Sequence, residues 1–182
     1  EPGIRQASEE TLVDAAHVLA ELAAQALAHE RINSGSFAAS LSAARHRQPA
    51  ASISGVNKES IDFRVYVTNP KGIVIYDSEN LSLNADFSQW RDIARVLRGE
   101  YGARSSLEDP DDPGSAVMYV AAPIFWQGQL IGVLSVAKPM ATLQPYISRA
   151  ASRVKRAGLL MLVLSAGIGL AFSAWLTWSI YR

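Results

Sequence analysis

Apolar residues recur at helical spacing near the start of the chain. Between residues 8 and 30 they return every three or four positions, and the resulting stripe consists of Leu12, Ala16, Leu19, Ala23 and Ala26. This spacing predicts an amphipathic helix. Ser8 is placed to cap it, and Glu9 and Glu10 would complement the positive end of its dipole. The stripe fits the face of a sheet or a second copy of the same helix, and both can hold if successive stretches pack differently.

From residue 61 onward the pattern changes to that of strands. Residues 63–68 and 73–76 are rich in β-branched and aromatic side chains, and the sequence NPKG between them predicts a tight turn. A second hairpin is predicted for residues 116–125 and 130–139, around the turn WQGQ. A fifth strand is predicted at residues 103–106.

Two further helices complete the predicted domain. The amphipathic stretch at residues 87–99 predicts a short helix that ends at Gly99, and residues 37–44 predict another. The rest of residues 32–60 is predicted to be a loop, because it is rich in Ser, Ala and Gly. The order of elements favours an α+β fold with a five-stranded antiparallel sheet and a long N-terminal helix.

Residues 157–181 contain no charged side chain, whereas Lys155 and Arg156 precede them. About 20 apolar residues are enough to cross a bilayer as a helix, so this segment is predicted to be a transmembrane helix that follows a domain at residues 1–156. A short helix at residues 141–156 would be continuous with it. The basic flank, counted by the positive-inside rule, would place the domain in the cytoplasm, although domains of this size are translocated largely regardless of charge.

Composition limits the possible chemistry. The formal net charge is zero and the chain has no cysteine, which excludes disulfides and thiolate metal sites, and nucleic acid is not a predicted partner. The three histidines lie far in sequence from Ser78, Ser105 and Ser106, so no nucleophile has an evident base. No catalytic residue is therefore predicted. The acidic loop at residues 108–112 is interpreted as solvated rather than as a metal site.

Three stretches carry a resemblance: VYVTNPKGIVIYDSEN, LRGEYGARSSLEDPDDPGSAVMYVAAPI and LIGVLSVAKP. They resemble the Cache domains, PAS-like extracytoplasmic sensor modules also called PDC domains, and in particular the sensor region of a two-component sensor histidine kinase. The resemblance implies an inner-membrane protein with a transmembrane helix before Glu1, a periplasmic domain, and a HAMP linker and kinase after Arg182. That topology overrules the cytoplasmic placement that the positive-inside rule gives. The parent would use ATP and Mg²⁺ to phosphorylate itself and then a response regulator.

Six residues are candidates for ligand binding: Arg104, Tyr119, Trp90, Tyr101, Tyr66 and Lys138. Arg104 either grips a carboxylate or phosphate or pairs with a nearby acid. Tyr119 lies in an apolar strand and contacts either a ligand or a structural partner. Trp90 and Tyr101 are expected in the core more than in a pocket.

The resemblance also implies something about the ligand. Cache sensors of amino acids tend to carry an Asp at the end of the last strand, where this chain has Ala137 and Lys138. A small anion or an uncharged ligand is therefore expected rather than an amine. A periplasmic protein is the alternative partner.

The motif Asp77-Ser78 ends a predicted strand. Short polar side chains at such positions hydrogen-bond the local backbone, so Asp77 is predicted to support the fold rather than to bind a ligand.

Signalling is expected through a homodimer paired along residues 12–27. Ligand binding would shift the populations of two arrangements of the sheet and helices. The same module on a chemoreceptor or a cyclic-dinucleotide enzyme, or a membrane-tethered interaction domain, remains an alternative.

Overall fold

A five-stranded antiparallel sheet forms the centre of the domain, with strand order β4-β3-β7-β6-β5. The computed structural model describes residues 2–53, 56–112, 115–140 and 165. In chain order the elements are α1 (Pro2–Ala28), α2 (Ser36–Arg45), β1 (Ala51–Ile53), β2 (Val56–Lys58), β3 (Arg64–Thr68), β4 (Val74–Asp77), α3 (Arg91–Leu97), β5 (Gly102–Leu107), β6 (Ala116–Trp126) and β7 (Gln129–Pro139). The predicted α+β fold and its five-stranded sheet are confirmed.

The two predicted hairpins are confirmed, and their turns have local causes. In the β3–β4 turn the Gly72 amide donates to the Asn69 carbonyl at 2.9 Å, and Gly72 has a positive φ of 82°. The β6–β7 turn uses Gln127 and Gly128, at φ values of 50° and 80°. Two successive positive φ values suit the twist of a two-residue hairpin.

Helix α1 covers one face of the sheet. The side chains that it buries are those of Leu12, Ala16, Ala20, Ala23 and Ala24, and they join the core formed with β3, β6 and β7. The predicted packing of this stripe on the sheet is confirmed, and pairing with a second copy of the helix stays a prediction. The small alanine side chains let the helix lie close to the strands. The opposite face of α1, which includes Val18 and Leu22, is exposed.

The start of α1 differs from the prediction. The helix begins at Pro2, a residue that suits a first helical turn because its missing amide would have no intrahelical acceptor there. Ser8, Glu9 and Glu10 lie inside the helix, so their predicted roles as cap and first-turn acids were wrong. Residues 6–28 are also long and apolar enough for a membrane span, a test that the core helix of a soluble protein passes equally well.

A small feature was missed in the predicted loop. Strands β1 and β2 pair as a separate antiparallel hairpin, with Ala51 opposite Lys58. The predicted helix at residues 37–44 is confirmed as α2, which buries Phe37 and Leu41. The predicted transmembrane helix at residues 157–181 and the helix at residues 141–156 lie outside the described residues, apart from Ser165.

Helix α3 covers the other face of the sheet and is shorter than the predicted helix at residues 87–99. Trp90, its N-cap, has an extended backbone, and Ile93 and Val96 are buried against the strands. Gly102 of β5 makes this close approach possible. A Cβ atom at that position would lie 2.1 Å from the backbone oxygen of Asp92.

A buried carboxylate site beneath helix α3

One carboxylate joins helix α3 to three strands of the sheet. Asp92 has no exposed surface. Its Oδ2 accepts hydrogen bonds from the Tyr66 hydroxyl of β3 at 2.5 Å and the Ser135 hydroxyl of β7 at 3.0 Å. Its Oδ1 accepts one from Nε of Arg104 in β5 at 3.0 Å. We call these four residues the Asp92 network.

Strand register brings the donors together. Tyr66 lies directly opposite Ser135, and Arg104 lies directly opposite Tyr119. Ser135 in turn pairs with Ala121, two residues from Tyr119 on β6. Side chains two residues apart on a strand share a face, so all of these groups lie on the side of the sheet that α3 covers.

Two aromatic rings enclose the guanidinium of Arg104. Its Cζ lies 3.7 Å from the ring centroid of Tyr119 and 4.2 Å from that of Trp90. Trp90 stacks in turn on Phe87, with centroids 3.6 Å apart. Nη2 of Arg104 is buried and has no hydrogen-bond partner among the described residues. Arg104 is thus held by one carboxylate and two π faces.

The surroundings keep Arg104 charged and keep the Tyr66 hydroxyl protonated. Burial raises the pKa of Tyr66 well above its ordinary value, and the adjacent Asp92 carboxylate raises it further, so the hydroxyl stays protonated. Burial alone would lower the pKa of Arg104, but the charge of Asp92 and the hydrogen bonds outweigh burial and raise it. The site is therefore built to hold one carboxylate.

A second buried carboxylate, Asp77, has a different set of partners. Nε of Arg64 donates to it at 2.9 Å and Nη2 at 2.5 Å. The backbone amides of Glu79, Leu81 and Ser82 donate to the same carboxylate at 3.1, 3.0 and 2.8 Å. The predicted strand-ending role of Asp77 is confirmed, whereas its ion pair with Arg64 was not predicted.

Ser78 supports the same corner of the fold. Its hydroxyl oxygen accepts hydrogen bonds from the Val65 amide at 3.0 Å and from Nη1 of Arg45 at 3.1 Å. Arg45 also pairs with Glu79 at 2.8 Å and so connects the end of α2 to the loop after β4. Asp77 and Ser78 together shape that loop.

The structure brings four of the six ligand-binding candidates together. Arg104, Tyr119, Trp90 and Tyr66 meet around Asp92, although which of them bind a ligand stays a prediction. Of the remaining two, Tyr101 lines a cavity of about 250 Å³ together with Arg104. Tyr101 donates to Glu9 of α1 at 2.6 Å. Lys138 pairs with Met118, whose side chain belongs to the α1 face of the sheet, opposite the Asp92 network.

The expected burial of two aromatic residues was wrong. Trp90 is 36% exposed and Tyr101 is 48% exposed, because both lie at the rim of the sheet rather than between its layers. Within the described part of the chain, no group of three His, Cys, Asp or Glu side chains is arranged to hold a metal ion.

Sequence reasoning missed Asp92, although its position carried a signal. In the segment WRDIARVL, Asp92 lies four residues before Val96 and therefore on the buried stripe of the helix. A carboxylate on such a stripe needs a partner inside the protein. The guanidinium of Arg104 is that partner, which is the nearby-acid alternative left open by the sequence.

Comparisons with known proteins agree with this architecture. No protein-family model matches the chain. The chain is 44% identical over 181 residues to Sensor protein CreC of Escherichia coli K12, a match that covers 100% of this chain and 38% of CreC. The chain thus spans well under half the length of this relative.

One solved structure is similar in fold, and a second matches a smaller part of the chain. The ligand-binding domain of the Campylobacter jejuni chemoreceptor Tlp3, in complex with 4-methylisoleucine, is 19% identical with a TM-score of 0.51, over 79% of this chain and 54% of that one. The sensor domain of the V. cholerae histidine kinase DctB is 19% identical with a TM-score of 0.39, over 45% of this chain and 33% of that one. The chain has the fold of Cache/PDC-like sensor domains, and over its whole length it is a homologue of part of Sensor protein CreC.

Proposed function

We propose that the chain is the extracytoplasmic sensing part of a two-component sensor histidine kinase of the bacterial inner membrane. The observation that carries this proposal is the 44% identity to Sensor protein CreC along the whole chain, together with a sensor-domain fold. The fold alone would fit a chemoreceptor equally well, and the sequence identity favours the kinase. The longer protein would contain the kinase, which would use ATP and Mg²⁺, and a response regulator of the CreB type would be its partner.

In this proposal the domain faces the periplasm and residues 157–181 cross the membrane. A stimulus that changes the balance between two arrangements of sheet and helices would be passed on through that segment. A ligand shifts such a balance only if it binds the two arrangements unequally. The proposal therefore needs an element whose position binding can change.

Helix α3 fits that requirement through the Asp92 network. Asp92, Tyr66 and Ser135 have no exposed surface, whereas the Arg104 side chain is 17% exposed and lines a cavity of about 250 Å³. An anionic ligand would have to displace the Asp92 carboxylate and offer its own oxygens to Arg104. The first turn of α3 would then lose its bonds to β3, β5 and β7. A small carboxylate is the anion that reproduces those bonds most closely.

A chimeric kinase tests the proposed function. The segment of CreC that matches this chain is replaced by it, and phosphorylation of the response regulator is measured in membranes. The chimera is expected to signal, and Asp92→Asn is expected to change the basal phosphorylation several-fold, because it weakens the bonds that hold α3. Leu81→Ala, at a residue that is 71% exposed, is the matched control and should leave the level unchanged.

Two results would count against the proposal. A chimera that is folded and inserted, yet has the same output under every condition in which CreC responds, would argue against a sensing role. An unchanged basal level in Asp92→Asn would remove the Asp92 network from the signalling mechanism and leave the sensor assignment intact.

We also propose that the protein is a homodimer paired through the outer face of α1. Val18 and Leu22 are one helical turn apart, and they are 60% and 63% exposed. Exposed large apolar side chains at this spacing form a seam that a second copy of the helix would cover.

Disulfide crosslinking tests the dimer in membranes. Because the chain has no cysteine, Val18→Cys and Leu22→Cys each introduce a single thiol. Both are expected to give crosslinked dimers on mild oxidation, whereas Leu81→Cys, an equally exposed position on the β4–α3 loop, should remain monomeric. Equal crosslinking at all three positions, or none at positions 18 and 22, would rule out this interface.

A further inference from the structure

A second site lies at the open edge of β6, between the C-terminal end of α3 and His17 of α1. It is a cavity of about 530 Å³ between α3 and the outer half of the β6–β7 hairpin. Its apolar wall consists of Val96, Leu97, Ala121, Pro123, Phe125 and Leu130. We call it the α3–hairpin cavity. None of the four residues of the Asp92 network lines it.

The cavity exists because β6 is longer than its neighbour. The pairing of β5 with β6 ends at Gly102 opposite Ala121, whereas β6 continues to Trp126. Along that extension the hairpin has β7 on one side and, within the part of the chain that the structure describes, no strand on the other. Helix α3 ends before it reaches the extension. The outer part of the hairpin therefore keeps an uncovered apolar surface beside the end of α3.

Among the residues of this apolar wall, Phe125 is the one with the most exposed side chain. Its side chain is 53% exposed, and it lines the cavity. Burying an exposed aromatic ring against Leu97 and Leu130 would be favourable, at about 25 cal/mol per Å² of apolar area. Gly99, also on the wall, has open space where a side chain would be. With a volume of about 530 Å³, the cavity has room for a small guest.

The rim of the cavity carries no free charge. Glu100 accepts hydrogen bonds from both Arg95 and Arg98, at 3.1 and 3.3 Å. The Tyr101 hydroxyl is engaged by Glu9. His17 of α1 is the other polar side chain that lines the cavity, and no hydrogen bond to its ring is seen among the described residues. An uncharged guest with one hydrogen-bonding group would match this rim.

The dimensions favour a small molecule over a peptide strand. Residues 99–101 form one wall of the cavity, at the point where the chain enters β5. A strand added to the edge of β6 would run into that segment after a few residues. A volume of about 530 Å³ lies within the range of about 300–1,000 Å³ that is usual for small-molecule sites.

We propose that the α3–hairpin cavity binds a small uncharged molecule with an apolar ring or branched chain, whose single hydroxyl or amide group contacts His17. This site is separate from the Asp92 network, and the proposal does not depend on the signalling role. Because Val96 and Leu97 belong to α3, an occupant would contact the C-terminal half of the helix whose first turn Asp92 holds.

Three probes of one shape and different charge test the proposal. Benzyl alcohol, benzoate and benzylammonium are titrated into the 182-residue chain in nanodiscs, and the methyl signals of Val96, Leu97 and Leu130 are followed by NMR. Benzyl alcohol is expected to shift them saturably. The two charged probes should bind at least about tenfold more weakly, because each would carry an unpaired charge into an apolar site.

Variants locate the binding and test the role of His17. Leu130→Trp fills the cavity and should abolish the shifts of the Val96 and Leu97 methyls, whereas Leu81→Trp, outside it, should not. If Leu130→Trp disturbs the fold, Phe125→Ala replaces it and should weaken binding.

His17→Ala should weaken the binding of benzyl alcohol about three- to tenfold, the equivalent of one hydrogen bond, and leave the binding of toluene unaffected. Unsaturable shifts, equal binding of the charged probes, or binding that survives both cavity variants would overturn the proposal.

Discussion

Replacing Asp92 by Ala is expected to destabilise the domain by about 3–5 kcal/mol, because it leaves a buried guanidinium without its counter-charge. Three side-chain donors lose their acceptor at the same time: Arg104, Tyr66 and Ser135. Pulse proteolysis in urea measures the free energy of unfolding of the membrane-inserted chain. A loss below about 1 kcal/mol would show that the network contributes little to stability.

Acetate should partly restore the Asp92→Ala variant. The substitution leaves a space bordered by Arg104, Tyr66 and Ser135 that matches a small carboxylate, and a ligand that binds only the folded state stabilises it by mass action. At several times its dissociation constant, acetate should return about 1 kcal/mol, while the wild type, whose site is occupied, should not respond. Equal effects on both proteins would show that acetate acts elsewhere.

A double variant separates the charge from the cavity. Asp92→Ala combined with Arg104→Met removes both members of the ion pair, so no buried charge remains unpaired. It should be more stable than Asp92→Ala alone, because replacing a whole buried pair is much less costly than breaking it. It should also lose the response to acetate, since the guanidinium that would bind acetate is gone.

Asp77→Ala is expected to have a similarly large effect, about 3 kcal/mol, for a different reason. The substitution leaves Arg64 without its partner and three backbone amides of the following loop without their acceptor. Asp86→Ala is the matched control. Asp86 is exposed and accepts a hydrogen bond from the amide of Ser88 at 2.9 Å, so its loss should cost much less than the loss of Asp77. Equal losses in the two variants would contradict this account.

Asp77 should also contribute to the acid sensitivity of the domain. Burial by itself raises the pKa of Asp77, but the hydrogen bonds from Arg64, Glu79 and Ser82 outweigh it and hold that pKa below its ordinary value of 3.8. The folded state therefore binds this proton less readily than the unfolded chain does. The stabilisation by Asp77 is present above the unfolded pKa and is lost as pH falls through the folded pKa. Below about pH 4 the wild type should lose stability more steeply than Asp77→Ala.

Two aspartates illustrate how far the sequence could be interpreted. The role of Asp77 was predicted because most of its acceptor contacts are local: the amides that it binds lie two, four and five residues further along the chain. Asp92 was missed because its donors lie 26 residues earlier and 12 and 43 residues later. Short polar side chains at turns follow local rules, whereas a buried ion pair depends on which strands become neighbours.

The same distinction applies to the ligand-binding candidates. Arg104 was selected as a guanidinium in a short polar strand and Tyr119 as a polar group in an apolar strand, and register does place them opposite each other. Lys138 was a weaker candidate, and strand alternation puts it on the other face of the sheet. A shift by one residue reverses the face of every side chain, so pattern alone does not assign a strand residue to a site.

The sequence by itself determined the α+β fold class, the two hairpins, the three helices and the local role of Asp77, because spacing and turn residues act over a few positions. Only the tertiary structure decided that Asp92 fills the space beside Arg104, that α1 covers the sheet with its alanines, and that the longer β6 leaves an apolar cavity beside the end of α3. Those features depend on strand order, register and relative length, which are set by packing between residues far apart in the chain.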